Sequence, residues 1–366
     1  MLNVNGTTQY TQVAAGVIIN GNDEVLVARR ADDAHQGGLW EFPGGKLHPG
    51  ESVLEALRRE LKEELGIIIQ RQFPFKRIYH HYPDKSVCLN VWCVIEWDGA
   101  PEGREGQAIN WVPITQTIHS TESEQTAQSK QTAQSEQTAR SSQTIRTTGL
   151  RPEDFPVANK SILRALQLPR YIAITPELPN QKALNDLLTH YINNGILAVQ
   201  LRQHQLPATE YARWFQSALP RCEEAGVALL VNQPLSVLTR MQPACCHLNS
   251  QTLMELTSRP DFGHTLLTAS CHNQTELEKA EQIDVDLALL SPVQATGIAT
   301  AATATATTKH VKNPALGWQK FETLAAMASL PVYALGGTAP ADWPKVRQHG
   351  GMGVAGITAF QNIYNR

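Results

Sequence analysis

Gly45-Lys46-Leu47-His48-Pro49-Gly50-Glu51 runs through Ser52–Arg58 into Arg59-Glu60-Leu61-Lys62-Glu63-Glu64-Leu65-Gly66-Ile67. Pro49-Gly50 is a turn dipeptide ahead of an apolar-periodic stretch. From about Ser52 to Leu65 the residues are good helix formers, and Gly66 suits the position just past a helix end. Leu54, Leu57, Leu61 and Leu65 recur at helical spacing and are expected to form the buried stripe. Glu60, Glu63 and Glu64 are spaced i, i+3, i+4 and share a face beside that stripe.

Like charges so close repel, so the arrangement costs helix stability unless something neutralises it. A hard divalent cation does so: Mg²⁺ takes one or two carboxylates, several waters and substrate phosphates. Such an ion offsets charge on phosphoryl oxygens and lowers the pKa of a bound water. Arg59 lies one turn before Glu63 and is placed to hold a carboxylate. Three glutamates alone also describe a solvated acidic face; the surrounding pattern decides between the two.

That pattern, Gly45, Glu51, Arg59, Glu60, Leu61, Glu63, Glu64, Gly66 and Ile67, resembles the Nudix box at each of its fixed positions. Thr11–Arg30, Ala34-His35 and Leu39–Gly45 are similar to the MutT branch of that family, which removes oxidised guanine nucleotides, notably 8-oxo-dGTP. So are Gly103–Gln107 with Trp111, and Asp154–Asn159 with the helix after it. The resemblance covers Gln12–Pro113 and Arg151–Leu168. It implies an α/β/α sandwich with a mixed sheet and a nucleoside triphosphate substrate. Its cofactor would be Mg²⁺, with Mn²⁺ the alternative. Water would attack phosphorus, usually the β-phosphorus, releasing a monophosphate and pyrophosphate. Carried over by position, the Gly44 carbonyl, Glu60, Glu63 and Glu64 bind metal, with Arg59 beside them. Glu105 adds a carboxylate and is the candidate general base. Arg30 contacts the substrate phosphates, Phe42 lines the base pocket, and Asn159 reads the purine edge; by itself, Asn159 also reads as a helix cap. The family's arginine after the Pro-Asp turn is Lys85 here, which lacks a planar fork of donors. That departure bears on base discrimination, not on hydrolysis.

Outward from this block the composition changes. Residues from about Gln116 to Thr148 are nearly all Gln, Ser, Thr, Ala and Glu, in a six-residue repeat. With so few large apolar groups the tract is expected to be a disordered insertion. From Tyr171 onward, eight short apolar runs alternate with helix-length stretches: Tyr171–Thr175, Leu197–Leu201, Ala228–Val231, Cys245–Leu248, Leu266–Ala269, Leu287–Leu290, Val332–Leu335 and Gly353–Gly356. This spacing predicts a parallel (β/α)₈ barrel. A second biased tract, Ala295–Lys309, falls in the loop after the sixth run. The expected fold class is therefore α/β: a sandwich over 1–168, with the insertion at about 116–148, then a TIM barrel over 170–366.

Val199-Gln200-Leu201-Arg202, Leu230-Val231-Asn232, His247-Leu248, Ser270–Asn273, Leu290–Val293 and Tyr333–Gly337 resemble thiamine phosphate synthase and its non-synthase, TenI-like relatives. Gly336-Gly337 and Gly356 follow the seventh and eighth runs, where barrels commonly bind phosphate; they also suit tight turns. The departures are substantial. The family's acidic metal ligand is Gln233, its acidic loop reads Asn249-Ser250-Gln251-Thr252, and its lysine after Arg202 is replaced by Gln203-His204. Synthase activity is expected to be lost, leaving a domain able to bind a phosphorylated ligand.

The charge of -3 over 366 residues leaves no footprint for stable nucleic-acid or membrane binding. Six cysteines without C-x-x-C spacing read as reduced thiols. With neither a basic-apolar leader nor a run of about twenty apolar residues, a cytoplasmic protein is expected. Three functions remain open: a nucleotide-pool sanitising hydrolase, a Nudix enzyme acting on thiamine or pyrimidine pyrophosphates, and a non-catalytic sensor.

Overall fold

The structure is a computed structural model and describes residues 10–33, 36–115, 151–261, 266–295 and 314–362. The repeat tract, the Ala34-His35 pair and nearly all of the Ala/Thr tract lie outside those residues.

The N-terminal half contains β1 (Thr11–Ile18), β2 (Glu24–Arg29), β3 (Trp40–Glu41), β4 (Gly44–Lys46), α1 (Val53–Leu65), β5 (Ile68–His81), β6 (Ser86–Asp98), β7 (Ile109–Pro113) and α2 (Lys160–Leu166). One sheet has the order β4-β1-β6-β5 and the other β3-β2-β7. The first is mixed, because β1 runs parallel to β6 and antiparallel to β4. Alternation along β1 supplies both faces: Ala14 and Ile18 join the α1 cluster, while Ala15 and Val17 join the cluster under α2. A strand buried on both sides is accordingly apolar throughout its second half. The result is the expected α/β/α sandwich.

Local chemistry fixes α1. Ser52 caps it, accepting from the Glu55 amide while Glu55 returns a bond to the Ser52 amide. Gly66 ends it in the left-handed region at φ 73°. Leu57, Leu61 and Leu65 are fully buried as expected. Leu54 is not: in the first turn it is half-buried at the edge of the cluster, and Ala56 supplies the fourth buried position.

The C-terminal half is a closed parallel barrel of β8 (Tyr171–Ile174), β9 (Ala198–Leu201), β10 (Ala228–Val231), β11 (Cys245–Leu248), β12 (Leu266–Cys271), β13 (Leu287–Leu290), β14 (Val332–Leu335) and β15 (Gly353–Gly356). It closes where β15 pairs with β8. Between successive strands lie α3 (Gln181–Asn193), α4 (Ala208–Glu224), α5 (Leu235–Met241), α6 (Ser250–Glu255), α7 (Gln274–Gln282), α8 (Gly317–Ala325) and α9 (Trp343–Gln348), with α10 (Thr358–Gln361) last. Alternate residues fill the interior (Ile174, Leu230, Leu289, Tyr333) or face the helices (Val199, Leu229, Leu267, Leu290). All six cysteines are buried and unpaired; burial pushes the Cys93 thiol up to about 11.

The halves are joined by charge as well as by apolar contact. Asp23, in the β1–β2 turn, accepts from Arg170 at 2.8 Å and Arg347 at 2.9 Å, and both guanidinium groups lie over Trp343. Arg71 pairs with Glu322 at 3.2 Å, and the Arg77 amide donates to the Ser329 carbonyl at 3.1 Å. Met352 packs against the cores of both halves.

Candidate active site

Glu51, just before α1, and Glu60 and Glu63 on it converge on one cation, Arg59. Its guanidinium donates to Glu51 at 2.8 and 2.9 Å, to Glu60 at 2.7 Å and to Glu63 at 3.3 Å. The bond to Arg59 pulls the Glu51 carboxyl down to about 2. Glu60 approaches β4 so closely that a Cβ on Gly45 would overlap its carboxylate, at 2.2 Å from Oε1. A larger residue at position 45 would make the Glu60 carboxylate move. Glu63 is the outlying member, with its side chain 56% exposed and directed to Arg59.

Glu64 behaves differently. It turns under the sheet and accepts a 3.0 Å bond from the Gly44 amide. Burial, reinforced by the carboxylates of Glu41, Glu60 and Glu105, pushes its carboxyl up to about 8. Glu105 arrives from a loop that caps the C-terminus of α1. Arg104 N and Gln107 Nε2 donate to the Glu64 carbonyl, and Glu102 N to the Leu65 carbonyl. The unused carbonyls of the last helical turn thus anchor the loop carrying Glu105.

Glu41 was not singled out from the sequence. It forms an ion pair with Arg30, and burial raises its carboxyl while Arg30 opposes the shift. Its lone position on a two-residue strand gave no periodic signal. Four carboxylates therefore influence one another here, although among the described residues no three acidic, His or Cys side chains stand close enough to form a ready-made ion cage. The reason is visible: Arg59 gathers Glu51, Glu60 and Glu63, while Glu64 turns to Gly44. The donor set still fits a hard divalent cation. It is all oxygen, and among the described residues Glu64 is flanked by the carboxylates of Glu41, Glu60 and Glu105 with no cation acting on it.

Beside this lies an aromatic wall. Phe42 stacks on Phe155 at 5.6 Å, and both share a cluster with Ala158. Phe155 carries no assigned role in the sequence reading, although it lies within the segment that resembles the MutT branch. Asn159 follows at the start of α2, and its side chain makes no capping hydrogen bond. Lys85 lies over Tyr82 at 6.0 Å, and Tyr82 packs against the same cluster.

The barrel mouth combines neutral groups with a few charged ones: Arg202 stands 3.8 Å from Glu177, whose carboxylate also accepts from the His204 amide. His247 is enclosed between Thr268 Oγ1 at 2.7 Å and Ser270 Oγ at 2.8 Å, and burial drives its imidazole down to about 3. Gln203 is fully buried and bonded to Thr175, Pro176 and Leu178. Asn249 caps α6, and Ser250 donates to Glu276. Two of the family's charged positions have thus become structural, and the mouth does not fit a metal-bound diphosphate. Two acceptors there, Gln200 Oε1 and Asn232 Oδ1, are buried without a hydrogen-bond partner.

Residues 10–133 match the NUDIX domain family, and residues 171–360 match the thiamine monophosphate synthase family. The 8-oxo-dGTP diphosphatase of Escherichia coli (strain K12) is 33% identical over 156 residues, 43% of this chain and 95% of that protein. The CTP pyrophosphohydrolase of the same organism is 37% identical over 94 residues, 26% of this chain and 70% of that protein. A protein of Aquifex aeolicus (strain VF5) named as a thiamine-phosphate synthase is 23% identical over 198 residues, 53% of this chain and 99% of that protein.

Proposed function

We propose, on the premise that the chain belongs to the Nudix family in its N-terminal half and to the thiamine monophosphate synthase family in its C-terminal half, that it hydrolyses oxidised purine nucleoside triphosphates, 8-oxo-dGTP foremost. The products are the nucleoside monophosphate and pyrophosphate. The chain is a Nudix pyrophosphohydrolase; the substrate and ion are our own reading. The observation that carries it is Glu64, a carboxylate turned under the sheet among Glu41, Glu60 and Glu105.

The Gly44 carbonyl, Glu60, Glu63, Glu64 and Glu105 would hold Mg²⁺. When bound, it would supply charge against the phosphoryl oxygens and a water of lowered pKa. Arg59 holds the Glu51 and Glu60 carboxylates in place through its guanidinium. Arg30, positioned by Glu41, contacts the phosphate chain. Glu105, exposed on its anchored loop, accepts the proton of the attacking water. Phe42 and Phe155 flank the base, and the Asn159 amide, which can donate and accept at once, reads its edge. A site of this make-up works by positioning and charge stabilisation, without a covalent nucleophile.

A second reading has its own support. Gln200 Oε1 and Asn232 Oδ1 leave the barrel able to accept hydrogen bonds from a ligand, so the natural substrate could be a thiamine or pyrimidine pyrophosphate. Pyrophosphate or phosphate release by the full chain with Mg²⁺, from 8-oxo-dGTP, dGTP, CTP and thiamine diphosphate, separates the two. Highest kcat/KM on 8-oxo-dGTP is expected. Preference for thiamine diphosphate decides for the second reading, and no Mg²⁺-dependent turnover of any of them overturns both.

A further inference from the structure

We infer a further ligand site, separate from the candidate active site and the barrel mouth: an apolar cleft of about 890 Å³ in the barrel wall between α4 and α5 that takes a small apolar molecule with an anionic head. Its origin is a mismatch in the wall. α4 has 17 residues and α5 only seven, so the shorter helix cannot cover the flank of the longer. The strands beneath are offset too. β10 and β11 share a single registered pair, Val231↔Cys246, where most neighbouring strands share three or four. Chain neighbours of that pair place Gln242–Ala244 beside the first half of β10. Gln242 adopts φ 45° as it ends α5, and Pro243 has no amide to extend the ladder.

The lining has the composition of a small-molecule site. Phe215, Val227, Leu229, Val237 and Cys245 are buried and apolar. Ala208, Ala212 and Gly226 are small, and their size keeps the space open. Polar groups are confined to the rim: Thr209, Gln216, Glu223, Arg240 and Gln242 are exposed. Sites of about 300–1,000 Å³ with apolar walls and few polar groups are the usual form for small organic ligands. The lining is too small an area for a stable protein interface, which needs about 800 Å² per partner. Arg240 makes a hydrogen bond to the Ser236 carbonyl and no carboxylate ion pair among the described residues, so its charge is open to an acidic head. Glu223, on the facing rim, confines that head to the α5 side.

The probe is 1-anilinonaphthalene-8-sulfonate, an aromatic body with one anionic group, titrated by fluorescence against the full chain. One saturable site is expected. Ala212→Trp, which fills the cleft, should abolish it. Arg240→Glu should weaken the sulfonate dye about tenfold while leaving the uncharged N-phenyl-1-naphthylamine unaffected. Should Ala212→Trp fail to fold, Gln216→Trp fills the cleft from an exposed position. Nucleotide hydrolysis should be unchanged in each folded variant. Absence of saturable binding, or binding undiminished in the filled variants, overturns the assignment. So does an equal loss of both dyes in Arg240→Glu, as regards the anionic head.

Discussion

Glu64 and His247 are strongly shifted titratable groups of the candidate active site and the barrel mouth, yet their surroundings are opposite in kind. Glu64 stands among other carboxylates, which together with burial push its carboxyl up to about 8. His247 stands between two hydroxyls, and burial pushes its imidazole down to about 3. The first environment holds charge that its own neighbours do not neutralise. The second is internally complete, with both ring nitrogens bonded to neutral partners. A site still organised for a cation retains such frustration at a cost in stability; a site that has lost its charged partner relaxes into hydrogen bonds.

The largest test removes the frustrated group. Glu64→Gln keeps the shape and the bond from Gly44 while deleting the charge. We expect kcat to fall by about 10²–10³-fold, the usual scale for one lost element of transition-state electrostatics. With a chelator present, the same variant should be more stable than the parent at pH 8–9. The sign follows from the raised carboxyl: the folded form favours the protonated acid, so stability is complete below about 4.5 and is lost as pH rises through about 8. Full activity, or a thermal midpoint lower than the parent's at pH 9, would break the contrast.

His247 should show the reverse slope. Its folded value lies below 6.5, so the neutral ring is favoured, and stability is complete above 6.5 and declines as pH falls toward 3. The decline is expected to approach ~1.4 kcal/mol per pH unit at its steepest. His247→Gln should flatten urea-unfolding stability between pH 6.5 and 4.5. An unchanged slope would mean the imidazole is not the group responsible.

Both regions were legible in the sequence where their determinants are local, and not where they depend on contacts between distant segments. α1 was legible because its determinants are local: Ser52 and Glu55 cap it, Gly66 ends it, and leucines at four-residue steps face inward. The barrel strands were legible for the same reason, each being a short apolar run between turns. What escaped came from contacts between distant segments. Glu41 matters through Arg30 and Glu64, and Phe155 through Phe42. The conversion of Gln203 and Asn249 into structural residues shows only in their partners, although the loss of charge at those positions was plain in the sequence. Leu54 marks a smaller limit, since periodicity gives the angle of a side chain but not whether the sheet extends beneath it.

The contact between halves offers a middle-sized test. Asp23→Ala should leave Arg170 and Arg347 without their shared carboxylate. The cost is expected near 1 kcal/mol, reduced by the 38% exposure of Asp23. Unfolding followed by circular dichroism should report a lower midpoint. If both halves retain the parent's stability, the Asp23 contact contributes nothing, and the Arg71–Glu322 pair, the Arg77–Ser329 bond and the apolar packing around Met352 suffice to join them.

The smallest expected effect concerns the edge of the proposed base site. Lys85 lies over the Tyr82 ring, and Tyr82 packs against the cluster that holds Phe42 and Phe155. An ammonium there is a point charge, whereas a guanidinium presents donors in a fixed plane and can stack on the same ring. Lys85→Arg should therefore add about one oriented hydrogen bond toward the base, worth ~1 kcal/mol net. That corresponds to roughly a fivefold rise in the ratio of kcat/KM for 8-oxo-dGTP over dGTP. Because the added bond is to the base and not to the phosphates, kcat on 8-oxo-dGTP should stay constant and the gain should appear in KM. A change in kcat with no change in the ratio would place Lys85 with the phosphate-binding groups and move the base site elsewhere.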